Sequence, residues 1–301
     1  MYLKPQHLTS NALKILVTGA NGQLGSELRR IAETSGKDEF TFVDLAEMDL
    51  GSDDAIAAFF TDKVFDFIIN CAAYTAVDQA EKDIDLAYRV NAEAVRALAE
   101  ICARKKIRLI HISTDYVFDG KGNEPISEDV QPNPISVYGK SKLAGERYVR
   151  QILNDAYIIR TAWVYSTFGK NFVKTIARLA RERDTLNVVY DQVGSPTYAR
   201  DLAVTLLAIV QKVNAGVIDK PGTYHYTNEG VISWYDFAVF IVKYFNLPCR
   251  ICPIPAKEYK TLAERPTFSV LDKSRLKNTF AIEIPHWHES LVDCMEELTS
   301  E

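Results

Sequence analysis

Short runs of β-branched and aromatic residues alternate with longer amphipathic stretches from Lys14 to Thr161. KILVT (14–18), FTFVD (40–44), FDFIIN (65–70), IRLIHIS (107–113) and AYIIRT (156–161) each read as a strand, and the stretches between them read as helices. Runs apolar on both faces, such as Phe67-Ile68-Ile69 and Leu109-Ile110, suit strands buried between two helix layers. The pattern therefore predicts an α/β chain with a doubly wound parallel sheet.

After Thr161 the rhythm loosens. Proline-bearing segments (Ser195-Pro196-Thr197, Leu247-Pro248, Pro253-Ile254-Pro255, Arg265-Pro266) punctuate shorter helices such as Ser233 to Phe245. This predicts a smaller C-terminal substrate-binding α/β lobe. The expected division is 14–162 with about 198–226 in the sheet domain, and about 163–197 with 227–301 in the lobe; 1–13 is an N-terminal extension. Ligands of open α/β sheets bind outside the carboxyl ends of the strands, so a lobe packed there closes a crevice over them.

At 301 residues, 47% apolar and 25% charged, the chain can bury a sizeable core. Its formal charge of -5 supplies no field to neutralise phosphates, which argues against a nucleic-acid partner. No run reaches membrane-spanning length, and residues 1–13 lack the apolar core of a signal peptide, so no membrane partner and a cytoplasmic location are expected. The five cysteines are odd in number and scattered, which disfavours a disulfide framework. Cys249 and Cys252 form a C-x-x-C without a second pair at zinc-binding spacing, and they read as half-buried strand residues after Pro248.

Chemistry enters at the first strand-to-helix junction. Gly19-Ala20-Asn21-Gly22-Gln23-Leu24-Gly25 has the spacing G-x-x-G-x-x-G and opens a helix. Glycines there permit a sharp turn, close approach to a pyrophosphate and tight packing of helix on strand, while the helix N-terminus faces the phosphates. This is a dinucleotide-binding, or Rossmann, turn. Asp44, 19 residues beyond Gly25, is placed to accept hydrogen bonds from the adenosine ribose, and Asp49 and Leu50 to flank the adenine. The acidic residue favours NADH, while Arg29 or Arg30 nearby leaves NADPH open.

Tyr138 and Lys142 stand one helical turn apart, behind Ser136 as the expected N-cap. A free phenol ionises near pH ~10; a neighbouring ammonium and an oxidised nicotinamide would favour the phenolate and make Tyr138 a usable acid and base. A third hydroxyl is expected from the end of IRLIHIS, where alternation alone leaves Ser113 and Thr114 open.

Together these features resemble the extended short-chain dehydrogenase/reductase family. Asn70–Glu81 (NCAAYTAVDQAE), Ser113–Phe118 (STDYVF), Arg160–Tyr165 (RTAWVY) and Asp191–Thr197 (DQVGSPT) resemble its dTDP-4-dehydrorhamnose reductases in particular. The resemblance implies reduction of the 4-keto group of a dTDP-linked sugar, and it selects Thr114 as the third catalytic hydroxyl. It further implies that Gly22, Gln23, Leu24 and Cys71-Ala72-Ala73 line the dinucleotide, and that Val77, Asp115, Trp163, Asn171 and Arg265 contact the nucleotide sugar. Plainer roles stay open: Trp163 in a core, Asn171 as a cap before Phe172, Arg265 as a surface charge. Cys71 stands where alanine is common, and Tyr74 where histidine sometimes occurs. Some members of the family dimerise through a glutamate-bound Mg2+. Glu27 lies in the corresponding stretch, its partner ligands are not legible here, and a homodimer and a metal are left unassigned.

Two other functions share much of this pattern. A nucleotide-sugar dehydratase would carry Thr-Asp-Glu where this chain has Thr114-Asp115-Tyr116, and an epimerase would retain rather than release its cofactor. A non-catalytic dinucleotide-binding subunit, like the regulatory subunit of methionine adenosyltransferase, would not need Thr114, Tyr138, Lys142 and Trp163 together.

Overall fold

A computed structural model describes residues 12–300; residues 1–11 of the expected N-terminal extension lie outside the described residues. Leu13 is already buried in the core. The central sheet contains β1 (Lys14–Thr18), β2 (Glu39–Val43), β3 (Phe67–Asn70), β4 (Arg108–Thr114), β5 (Tyr157–Thr161) and the strand Gly222–His225. All pair in parallel, in the order β2-β1-β3-β4-β5 followed by Gly222–His225. The winding reverses between β1 and β3, so a crevice opens at their carboxyl ends.

Alternation along each strand builds the two helix layers. Ile15, Val17, Ile69, Ile110 and Ile159 pack with Leu24 and Leu28 of the helix Gln23–Ser35 and with Leu202 and Leu206 of the helix Ala199–Asn214. Leu16, Ile68, Leu109 and Ile158 face the other way, against Ile56, Leu98, Ile101 and Val149 of three further helices. Each such side chain, fully buried, contributes about 1.5–3 kcal/mol.

A third cluster, around Tyr165, Val173, Ile176, Phe237, Ile241, Leu291 and Met295, lies in the C-terminal part of the chain. It joins the helices Phe172–Glu182, Trp234–Tyr244 and Trp287–Ser300. The parallel strands Thr185–Val189 and Arg250–Ile254 contribute Leu186 and Val188 and carry Cys252. The short helix Ser274–Phe280 lies in the interval expected for the lobe, yet its Leu276 and Phe280 pack on the central sheet beside Tyr157 and Tyr224.

The helix Val137–Ile152 determines where the site forms. Ser136 caps it, accepting from the Gly139 N–H at 3.2 Å. A methyl at Gly139 would lie 2.1 Å from the Tyr116 carbonyl oxygen, and one at Gly145 would lie 2.2 Å from the Asn91 carbonyl oxygen. Asn91 sits in a π-helical turn, Arg89–Glu93, and its amide donates to Ser141 Oγ and to the Tyr74 carbonyl. π-Turns open a helix backbone to partners of this kind. Among the described residues, no helix is long and apolar enough to cross a membrane.

Gly145→Ala is expected to lower stability by about 1–3 kcal/mol, the usual cost of overpacking. A urea midpoint equal to that of the wild type would show that the helix moves aside freely.

Candidate active site

Glycine is required at the turn after β1 by the backbone around it. Gly19 has φ 66°, and a Cβ there would sit 2.7 Å from the Ala72 backbone; at Gly25 a Cβ would sit 2.3 Å from the Gly19 carbonyl oxygen. The turn thus lies directly on the end of β3, with the first helix starting at Gln23. Thr18 donates to Asn70 Oδ1 at 2.6 Å, and that oxygen also accepts from the Ala72 N–H. The Asn70 amide then donates to His111 Nδ1 at 3.0 Å, which leaves His111 neutral with its proton on Nε2; burial pushes its pKa well below the usual range. One hydrogen-bonded chain therefore ties the ends of β1 and β3 to the middle of β4.

Above these strand ends lies a cavity of about 890 Å³. Gly19, Asn21, Gly22, Gln23, Leu24, Gly25, Asp44, Asp49, Leu50, Cys71, Ala72 and Ala73 line one part of it, and Val77, Thr114, Asp115, Tyr138, Lys142 and Trp163 line the other. The cradle, with no side chain over Gly19 and Gly22 and a helix N-terminus behind them, suits a dinucleotide pyrophosphate. Asp44 Oδ2 accepts from the Asn21 N–H at 2.8 Å and Oδ1 from the Leu45 N–H at 2.9 Å, so its charge is held at the end of β2. Arg29 is drawn over the Phe42 ring, 4.7 Å from its centroid.

The structure separates Ser113 from Thr114. Ser113 Oγ donates to the buried Glu146 at 2.6 Å, on the side of the Glu146–Arg160 ion pair. The Thr114 hydroxyl instead meets Tyr138 and donates to Asp115 at 3.0 Å. Tyr116 packs edge-on against Tyr138, with ring centroids 5.3 Å apart. Lys142 is 2% exposed and donates to the Ile112 carbonyl at 2.7 Å.

Desolvation dominates the electrostatics here. Burial raises the Tyr138 phenol to about 12, with the Thr114 hydroxyl opposing it, which is the reverse of the expected downward shift. The same burial lowers Lys142 to about 8, against the pull of Glu146, so the ammonium expected to lower the phenol is itself disfavoured. Asp115 is pushed up to about 6 by burial.

Two expected substrate contacts lie off the cavity wall. Asn171 caps the helix Phe172–Glu182 and donates to Gln23 Oε1 at 3.0 Å, tying the lobe to the glycine turn. Arg265 forms a two-pronged pair with Asp78, at 2.7 and 3.1 Å. Trp163 lines the cavity with φ 50°, a left-handed conformation that costs a bulky residue about 1–3 kcal/mol. It stacks on Trp234 at 3.6 Å between centroids, and such pairs return about 0.5–1.5 kcal/mol. Tyr116, from the STDYVF string, also lines the wall, as do Leu45 and Lys170, which stand in no motif with a recognisable spacing.

Glu27 does not offer a magnesium site. It is buried, accepts from Ser166 at 2.6 Å and pairs with Arg30 and Arg200, which also hold Glu297. Two guanidinium groups already balance the two carboxylates, and a divalent ion wants oxygen ligands in their place. Among the described residues, no cluster of three or more His, Cys, Asp or Glu side chains suits a metal.

A reversal of winding at β1/β3, a glycine turn placed there, and a Tyr–Lys pair facing the same cavity put the chain among the extended short-chain dehydrogenases/reductases. Residues 13–300 match the RmlD substrate binding domain, and the chain belongs to that family. It is 42% identical over 302 residues to a dTDP-4-dehydrorhamnose reductase of Burkholderia thailandensis, covering 96% of this chain and all of that one. It is 40% identical over 285 residues to one from Aggregatibacter actinomycetemcomitans, covering 92% and 97%. Among solved structures, a dTDP-4-dehydrorhamnose reductase of Bacillus anthracis in complex with NADP superposes with a TM-score of 0.88 at 38% identity, over 95% of this chain and 99% of that one.

Two outcomes test the site. Asp44→Ser is expected to shift the NADPH-to-NADH preference by roughly five- to tenfold towards NADPH, the effect of removing one exposed like charge worth about 1 kcal/mol. An unchanged ratio would place the adenosine ribose elsewhere. EDTA is expected to leave turnover unaltered, and a loss restored by Mg2+ would show that the arginines at Glu27 yield to a metal.

Proposed function

We propose that this protein is an NAD(P)H-dependent oxidoreductase that reduces the 4-keto group of dTDP-4-dehydro-L-rhamnose to give dTDP-L-rhamnose. The observation that carries this reading is the convergence of the Tyr138 phenol, the Thr114 hydroxyl and Lys142 on the cavity that the glycine turn enters. The names of the relatives supply the sugar, and their similarity extends over almost the whole chain.

The bound dinucleotide supplies the hydride. Tyr138 keeps its proton at neutral pH because burial disfavours the phenolate, and it delivers that proton to the carbonyl oxygen. Thr114, beside it, orients the same oxygen. Lys142, anchored by the Ile112 carbonyl, holds the nicotinamide ribose and carries positive charge below about pH 8. Asp115 and Trp163 bound the sugar side of the cavity. Asn171 and Arg265, held off the cavity wall by Gln23 and Asp78, would contact the diphosphate only by exchanging those partners for it. The aromatic Tyr116 stands where a dehydratase needs a carboxylate, which favours reduction over dehydration.

Purified protein should consume reduced nicotinamide in proportion to dTDP-4-dehydro-L-rhamnose supplied. Tyr138→Phe should lose about 10²–10⁴ of the rate, the usual contribution of a general acid, and normal turnover in that variant would remove the tyrosine from its role. The wild-type rate should fall as pH rises through about 8, where Lys142 gives up its charge. Lys142→Met should be slow and have a higher pH optimum; an unchanged pH profile would assign the decline to another group.

A further inference from the structure

We propose that Trp234 is a positioning residue: it holds Trp163 in its strained backbone conformation, so that the Trp163 indole forms a fixed wall for the sugar of the substrate. The inference rests on the functional reading above only for the identity of that sugar.

Trp163 pays a conformational penalty that its own stretch of chain does not explain. Its neighbours Ala162 and Val164 have ordinary negative φ, whereas Trp163 has φ 50°. Strain of this kind persists only where the surroundings over-determine it. Three contacts do so. The Trp234 ring lies 3.6 Å away at an interplanar angle of 12°, close to full face-to-face overlap. Gly194 leaves room beside the indole, since a Cβ there would lie 2.9 Å from Trp163 Cε2 and 3.0 Å from Cζ2. The Thr197 N–H donates to the Trp163 carbonyl at 3.1 Å.

Trp234 is itself anchored. It is the first residue of a helix whose capping box is complete, with Ser233 and Asp236 each satisfying the other's backbone N–H. Phe172 also packs against it, tilted, with ring centroids 4.6 Å apart. Trp234 does not line the cavity, whereas Trp163 does. The stack therefore carries the rigidity of the lobe core to one cavity wall. A flat π-surface suits the C–H face of a deoxy sugar whose oxygen Thr114 and Tyr138 engage within the same cavity. Fixing the wall fixes the ring plane, and a carbonyl carbon has to be held in register to accept hydride.

Trp234→Ala and Trp234→Phe test this. In the wild type, the stacked indoles should give an exciton couplet in circular dichroism that both variants abolish. The alanine variant should raise KM for dTDP-4-dehydro-L-rhamnose roughly tenfold or more, equivalent to about 1.4 kcal/mol, with KM for reduced nicotinamide unchanged. The phenylalanine variant, which restores a flat ring, should return KM for the sugar to within about threefold of the wild type, a margin under ~1 kcal/mol. An unchanged sugar KM in Trp234→Ala, or an equal rise in both KM values, would overturn the proposal. Wild-type protein inert towards this sugar would overturn the functional reading instead. The positioning role would then be decided by a crystal structure of Trp234→Ala, in which a Trp163 φ still near 50° would refute it.

Discussion

Tyr138 reaches Thr114 because the helix that carries it lies almost in contact with the backbone at Tyr116, just beyond β4, and at the Asn91 turn. Gly139 and Gly145 permit that approach, since a single methyl at either would overlap a carbonyl oxygen. Everything chemical in the cavity inherits this spacing. Moving the helix outward by a methyl's width would separate the phenol from the threonine hydroxyl, release the Lys142 ammonium from the Ile112 carbonyl and uncouple Asn91 from Ser141. The hydrophobic layers on both faces of the sheet hold the helix there, and the glycines make the tight fit possible.

The same close packing sets the protonation states. Water is excluded from Tyr138, Lys142, His111 and Asp115 together, so each is driven towards its neutral form. Glu146 is the exception: burial pushes it up, but Arg160 and Ser113 more than offset this and keep it ionised, where it steadies the charge of Lys142 one turn away. A neutral phenol beside a conditionally charged lysine is what a proton donor to a carbonyl requires.

The two parts of the molecule are joined by polar contacts that cross the crevice. Gln23, in the glycine turn, bonds Asn171 and the Val164 carbonyl, and Glu27, one turn further on, pairs with arginines that also hold Glu297 of the final helix. The Arg265–Asp78 pair adds a third link near the sugar side. The glycine turn and the lobe are therefore braced by side chains that lie behind the cavity wall, with Gln23 alone among them facing the cavity.

The order of strands and helices, the glycine turn at the first junction, the Ser136 cap and the one-turn spacing of Tyr138 and Lys142 were all legible in the sequence, because each depends on residues a few positions apart. Alternation along β4 did not say which of Ser113 and Thr114 faces the cavity; that depended on Glu146, brought in from a helix 33 residues on. The direction of the Tyr138 shift was likewise hidden, since spacing reveals a neighbouring lysine but not the water lost by both. Asn171 and Arg265 took partners, Gln23 and Asp78, from 148 and 187 residues away, and the charges that occupy Glu27 came from Arg200 and Glu297. The sequence by itself determined the fold class and the one-turn pairing of Tyr138 with Lys142, through local periodicity and motif spacing. Only the tertiary structure decided their orientation, ionisation and bracing, because desolvation and ion pairing depend on which distant residues folding brings together.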